Sequence, residues 1–325
     1  MVNVRRALLV LAFVSSPLLG GCSSSSSSSP PPPPGTSAYY STLASLGVVS
    51  APISSVSASF ITLNPSAGNG LATDVNIAFD ANGRLFVVNQ ALAVPSTISV
   101  FTPPLTATSN ATFILTMPVS GCAFGIAFDS SNDMWISNCN TSIYEFKGPF
   151  TTTGTLPAPD VTLTSNAFAF GLTFDAGGNL WVATDTAANG VEEYLKPAGG
   201  FVNSTPIDHT LTGLNKPQSV AFDKSGDLFS DSQTFGTAEY KSTNLSAAAV
   251  PDIINPTGLE ANFRASQMTF DSAGNLYAAD CGVGDTGHIY VYPTSTTAFS
   301  ATQTPLAYTN ADIMAKFCAA GIAIH

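Results

Sequence analysis

The sequence predicts an all-β fold, a β-propeller of six four-stranded blades, on three observations. A unit of about 48 residues recurs five times, each unit divides into short apolar strands, and the two chain ends complement one another as parts of a further unit. Five closed blades is the alternative. Charged residues are only 10% of the chain, and no long amphipathic helical pattern is present, which agrees with β structure.

The repeat is visible in IAFDANGRLFVVN from Ile77, IAFDSSNDMWISN from Ile126, LTFDAGGNLWVAT from Leu172, VAFDKSGDLFSDS from Val220 and MTFDSAGNLYAAD from Met268. Its Phe-Asp pairs begin at Phe79, Phe128, Phe174, Phe222 and Phe270, so the steps are 49, 46, 48 and 48 residues. The Asp after each Phe can accept backbone N–H groups two residues on. The Gly that usually follows tolerates positive φ, so the pair punctuates a tight hairpin. Around that hairpin the strands are apolar on both faces, as at Leu85 and Phe86 or Leu180 and Trp181. A strand sandwiched between two sheets has this property, whereas a half-exposed strand alternates. A third strand follows in each unit (ISVF from Ile98, SIYEF from Ser142, GVEEY from Gly190, TAEY from Thr237, HIYVY from His288). A fourth, as in ATFILT from Ala111 or DVTL from Asp160, precedes the next repeat.

The ends decide the blade number. FCAAGIAIH at the C-terminus matches GCAFGIAFD of the second unit through its first strand, with Ile324 where Phe128 stands. Near the N-terminus, ASFITL from Ala58 matches the outer strand ATFILT, with GVVSAPIS before it. A composite sixth blade follows, its C-terminal strand innermost and residues 39 to 63 supplying the outer ones.

Residues 60 to 325 resemble NHL repeats and the related six-bladed propellers of the gluconolactonase and virginiamycin B lyase type. Their blades carry a similar Ala-Phe-Asp, Gly-Asn, aromatic-Val pattern. The shared residues are the ones that build blades, so the resemblance implies fold more than function. The lactonase likeness would imply a calcium held by an N-terminal Glu with Asn and Asp from later blades. Residues 36 to 76 contain no Glu, and Asp74 is their one acid. The lyase likeness implies a His and Glu set with magnesium, which has no counterpart that can be placed here.

Before the repeats lies an export signal, residues 1–21, with Arg5 and Arg6 ahead of the apolar run ALLVLAFV, which is too short to span a bilayer. Leu19-Gly20-Gly21-Cys22 resembles a lipobox, in which the cysteine becomes the diacylated first residue. Residues 22–37 include a run of seven serines (Ser23 to Ser29) and then five prolines (Pro30 to Pro34), a flexible stretch and then a stiff spacer that cannot form a core. The propeller domain is expected over 38–325. The chain is therefore expected on the cell membrane or outer membrane, lipid-anchored and facing periplasm or exterior, and monomeric. Without Arg5 and Arg6 it has eight basic and 21 acidic residues. Such a surface repels nucleic acid and anionic lipid, so no nucleic-acid partner is expected.

The other four cysteines fall at two repeat offsets: Cys122 and Cys318 lie six residues before Phe128 and Ile324, and Cys139 and Cys281 eleven after Phe128 and Phe270. That spacing predicts disulfides Cys122–Cys139, within one blade, and Cys281–Cys318, between the fifth and sixth. Export brings the chain to an oxidising compartment where such bonds persist.

The repeated Asp80, Asp129, Asp175, Asp223 and Asp271 are explained by the turns they cap. Asn89, Asn138, Asp185, Asp231 and Asp280, at the ends of second strands, are the candidate ligand-binding group at one channel mouth, beside Lys216 and Arg264. Oxygen-rich rings hold calcium or polar ligands. Their offsets of nine, ten and eleven from each Phe place them at different heights, however, so no cofactor is expected, with calcium the alternative. His209, His288 and His325 fall in different parts of the repeat. No nucleophile elbow, phosphate loop or metal-spaced His cluster occurs, and no catalytic residue is assigned. The function expected is a tethered binding or scaffold module for a protein or glycan partner. The alternative is a metal-dependent lactonase-like hydrolase or lyase at the channel mouth.

Overall fold

The structure is a computed structural model that describes residues 37–43, 45–55, 58–63, 70–92, 94–185, 190–232, 236–253, 265–281, 287–293, 299, 303–316 and 318–325. The expected signal segment, Cys22 and the tether as far as residue 36 lie outside the described residues. Six sheets are formed, antiparallel but for one short pairing. Blade 1 runs from its innermost strand outward as Asp74–Phe79, Leu85–Asn89, Pro95–Phe101 and Phe113–Ser120. Blade 2 is Ala123–Phe128, Met134–Asn138, Ser142–Phe146 and Val161–Thr164. Blade 3 is Ala169–Phe174, Leu180–Thr184, Gly190–Tyr194 and His209–Leu211. Blade 4 is Val220–Phe222, Leu228–Ser232, Gly236–Tyr240 and Asp252–Ile253. Blade 5 is Ala265–Phe270, Leu276–Asp280, His288–Tyr292 and Leu306–Tyr308.

Blade 6 joins the two ends of the chain. Gly321–Ile324 is innermost and pairs with Ser37–Ser41, followed by Leu46–Ser50 and Phe60–Leu63. Tyr40 stands opposite both Ile322 and Gly47, so the C-terminal strand is held by a full ladder. The chain is a six-bladed β-propeller.

The aromatic residue on each second strand explains why both faces of these strands are apolar. Phe86, Trp135, Trp181 and Phe229 pack edge-on against Phe128, Phe174, Phe222 and Phe270 of the following blade, with ring centroids 4.8–5.9 Å apart. Tyr39 meets Phe79 in the same way between blades 6 and 1, at 5.1 Å. Edge-to-face pairs add to burial a preference for one geometry, which fixes the angle between neighbouring blades. Between blades 5 and 6 the aliphatic Ile324 stands at the Phe position, and Tyr277 packs in a cluster with Ile322.

Both disulfides form as the spacing predicts. Cys122–Cys139 spans a Cα separation of 5.2 Å within blade 2, and Cys281–Cys318 spans 3.9 Å across the joint between blades 5 and 6. Three elements among the described residues fall outside the four-strand plan, one of them a short 3-10 turn at Ser242–Asn244. Gly154–Thr155, in the loop between the third and outer strands of blade 2, pairs in parallel with the outer strand of blade 1 and makes that sheet five-stranded. A six-residue helix, Ala311–Lys316, occupies the link from blade 5 to blade 6. Among the described residues no helix is long and apolar enough to cross a membrane.

Candidate functional site: the channel and the two faces

The alternation of strand direction sorts the loops onto two faces. Turns between first and second strands, and between third and outer strands, lie on one face, here called the hairpin face. Turns between second and third strands, and the links between blades, lie on the opposite face. Ser37 starts a second strand, so the described chain begins at the hairpin face.

On the hairpin face the repeated Asp does what its turn requires. One oxygen of Asp129 accepts from Ser131 N and Asp133 N at 2.8 and 3.0 Å, and Asp80 and Asp223 accept from their turns likewise. The following residue with positive φ is Gly83, Gly178, Gly226 or Gly274, and in blade 2 it is Asn132 at φ 64°. Asn is the residue other than Gly that most readily adopts this conformation.

The second Asp oxygen differs between blades, because the residue four positions on differs. Arg84 holds Asp80 at 2.5 Å, while Asn179 and Asn275 donate to Asp175 and Asp271 at 2.9 and 2.7 Å. Burial works against ionised Asp80, but the Arg84 hydrogen bonds and charge outweigh it, so its carboxyl stays below the usual range. In blades 2 and 4 the residue four on is itself an acid, Asp133 or Asp227.

Beside these turns three consecutive third strands each carry a buried glutamate: Glu145, Glu193 and Glu239. They lie opposite Trp135, Trp181 and Phe229 in register. Burial pushes Glu193 up to about 6, with His209 opposing and Asp208 and Asp175 adding to the rise. Glu145 is pushed up to about 6 by burial first, with Lys147 opposing and Asp133, Asp129 and Asp160 reinforcing. Sequence reading missed these glutamates as a group, although the shared Glu before an aromatic at the strand end (Glu145-Phe146, Glu193-Tyr194, Glu239-Tyr240) was the available signal.

The central channel has a volume of about 310 Å³ and is walled by the six innermost strands. Among the described residues its lining contains no carboxylate, imidazole, ammonium or thiol. Its long polar side chains are engaged in joining strands. Gln267 accepts from Ile77 N and Ile322 N at 3.0 and 3.1 Å and donates to Ile77 O at 2.7 Å, tying blade 5 to blades 6 and 1. Asn76 donates to Ser266 O at 3.0 Å.

The five strand-end residues expected at the channel mouth are on the face opposite the hairpins, and none lines the channel. Asn89, Asn138, Asp231 and Asp280 are buried, and Asp185 is partly so. Several of their contacts tie a strand end to incoming chain. Asn89 Oδ1 accepts from Ala72 N at 3.2 Å, and Asp231 Oδ1 accepts from Gln218 N and Ser219 N at 2.6 and 2.8 Å. Backbone Asp280 O accepts from Ala319 N at 2.9 Å. Gln218 also reaches Asp185 at 3.5 Å and so relates two of the five. Lys216 is exposed in the link between blades 3 and 4, with φ 51°, and Arg264 lies outside the described residues.

That opposite face carries exposed apolar side chains. Leu43 is in the second turn of blade 6, Leu92 and Val94 in that of blade 1, Phe168 in the link to blade 3 and Met314 in the link to blade 6. Leu92 is 81% exposed and Val94 60%.

No protein-family profile and no curated protein matches the chain. Solved structures do resemble it. One is a protein of unknown function from Bacteroides caccae, at TM-score 0.58 and 11% identity over 88% of this chain and 97% of that one. Another is the extracellular domain of a putative one component system from B. thetaiotaomicron, at TM-score 0.51 and 14% identity, over 85% of this chain and 35% of that one. A third is the PQQ-bound form of aldose sugar dehydrogenase from Streptomyces coelicolor, at TM-score 0.52 and 15% identity, over 76% and 84%. At these identities the likeness establishes the propeller fold.

Proposed function

We propose that the chain is a membrane-tethered, extracytoplasmic lipoprotein whose propeller binds a protein or glycan partner across the face opposite the hairpins. The observation that carries this reading is the set of exposed apolar side chains on that face, Leu43, Leu92, Val94, Phe168 and Met314. Five such side chains stand on that face against three on the hairpin face (Leu195, Val202 and Val250), and a concentration of exposed apolar groups marks an interaction site. The lipobox-like Leu19-Gly20-Gly21-Cys22 and the Ser/Pro stretch supply the tether. The channel supports the same reading, since a wall without a titratable side chain offers no general acid or base. Chemistry at its mouth is the second reading, and Asp185 and Asp231, related through Gln218, are the pair that favours it. The test is binding to glycan arrays and to intact cell surfaces by three proteins: the unaltered protein, L92S/V94S and the hairpin-face variant V250S. Loss of binding in the first variant and retention in the second is expected, and equal binding by all three overturns the assignment of the face.

A further inference from the structure

The three glutamate clusters on the hairpin side of blades 2, 3 and 4 are built alike but neutralised differently. In blade 4, Lys241 Nζ lies 2.6 Å from Glu239 and 3.3 Å from Asp227. In blade 3, His209 Nδ1 lies 3.0 Å from Glu193 and 2.9 Å from Asp208. In blade 2, ligand oxygens of Asp129, Asp133 and Glu145 all lie within 4.8 Å of one another, and among the described residues no basic side chain forms an ion pair with them, Lys147 acting only through its charge. The residue matching Lys241 is Lys147, which is exposed and makes no ion pair among the described residues. The scaffolding of the two clusters is otherwise the same, since Asp133 accepts from Gly148 N at 3.0 Å as Asp227 accepts from Ser242 N at 2.7 Å.

A second observation distinguishes blade 2. Glu145 is 6% exposed, and among the described residues its carboxylate accepts no hydrogen bond and makes no ion pair, although it is directed into the cluster. Carboxylates this close repel one another when ionised, and a cation held among them relieves that repulsion. Beside it, Trp135 Nε1 is buried without a partner, whereas Trp181 Nε1 at the matching place in blade 3 donates to Asp175 at 3.2 Å. An ion-bound water would provide the missing acceptor.

We propose that Asp129, Asp133 and Glu145 bind a calcium ion, which stands in blade 2 where the Lys241 ammonium stands in blade 4. Carboxylate oxygens select a hard cation, and calcium binds oxygen at about 2.3–2.6 Å, so two of its ligands lie at most about 5 Å apart. The observed separations fall inside that limit. Asp129 contributes the oxygen not needed by its turn, so ion binding clamps the hairpin of blade 2 to its third strand.

The experiment compares the full-length protein with Glu145→Gln in thermal melts with excess calcium, with excess magnesium and with chelator. Calcium should raise the midpoint by about 4 °C or more, magnesium should do less, and E145Q should lose the calcium response. Terbium luminescence excited through tryptophan locates the ion. The signal should vanish in Trp135→Phe and persist in Trp181→Phe. A midpoint unmoved by calcium, a response that survives E145Q, an equal response to magnesium, or luminescence that follows Trp181 overturns the proposal. The first result is also expected if Lys147 folds into the cluster as Lys241 does.

Discussion

Ser37 and His325 exchange two backbone hydrogen bonds, N to O at 3.1 Å in one direction and 3.0 Å in the other. The ring is therefore closed by the start of the described chain and its final residue. Closure sits in the ladder between Gly321–Ile324 and Ser37–Ser41, and the neighbouring joint to blade 5 is covalently fastened by Cys281–Cys318.

Closure energetics can be read from the disulfides. Residues 281 and 318 are 37 apart in sequence, and bonds closing loops of this order contribute about 3 kcal/mol. For a domain this large that corresponds to a fall in midpoint of roughly 6–12 °C in the C281S/C318S double variant. Deleting residues 321–325 removes a whole innermost strand and should abolish cooperative unfolding altogether. A truncated chain melting within a few degrees of the parent would show that blade 6 does not depend on its C-terminal strand.

The buried glutamates give the stability a pH dependence. Glu193 is pushed up to about 6, mainly by burial, and burial also raises Glu239 and Glu192. A carboxyl whose folded pKa lies above its unfolded value contributes stability fully below the unfolded value, and that contribution is lost as pH rises through the folded one. Asp80 and Asp227 are lowered, so their contribution is kept until the solution falls below the ordinary Asp range. The melting midpoint, measured with chelator present, should be higher at pH 5 than at pH 8. Glu193→Gln should flatten the difference. A midpoint that rises steadily from pH 5 to pH 8 would contradict the placement of these groups.

The proposed anchoring rests on one atom. Cys22→Ser removes the sulfur that would carry the acyl chains, and two chains are what stable anchoring takes. The variant should move from the membrane pellet to the soluble fraction. Membrane association unchanged by the substitution would end the lipoprotein reading.

Much of the ring was legible because the repeat imposes it. Phe79, Phe128, Phe174, Phe222 and Phe270 recur because each packs on an aromatic of the preceding blade, and FCAAGIAIH was recognisable as half a hairpin lacking its partner. Gly154–Thr155 was not legible, since a two-residue parallel contact leaves no periodicity. The strand-end group was located on the correct strands but its surroundings were not foreseen. Asn89 and Asp231 are buried against the chain entering their own blades, a contact made by backbone N–H groups that sequence does not display. Glu145, Glu193 and Glu239 escaped notice for a related reason. Their partners Asp133, His209 and Lys241 lie at different sequence distances, and only the stacked strands bring them together.

The most direct test of the central claim is site-specific photocrosslinking in intact cells, with the crosslinking residue placed at Leu92 or at Val250. Both side chains are more than 80% exposed, and they lie on opposite faces of the disc. A tethered binding module that uses the face opposite its hairpins should give a discrete adduct from position 92, with a protein or a glycan, and none from position 250. Adducts from position 250 alone, or from neither position, would contradict it.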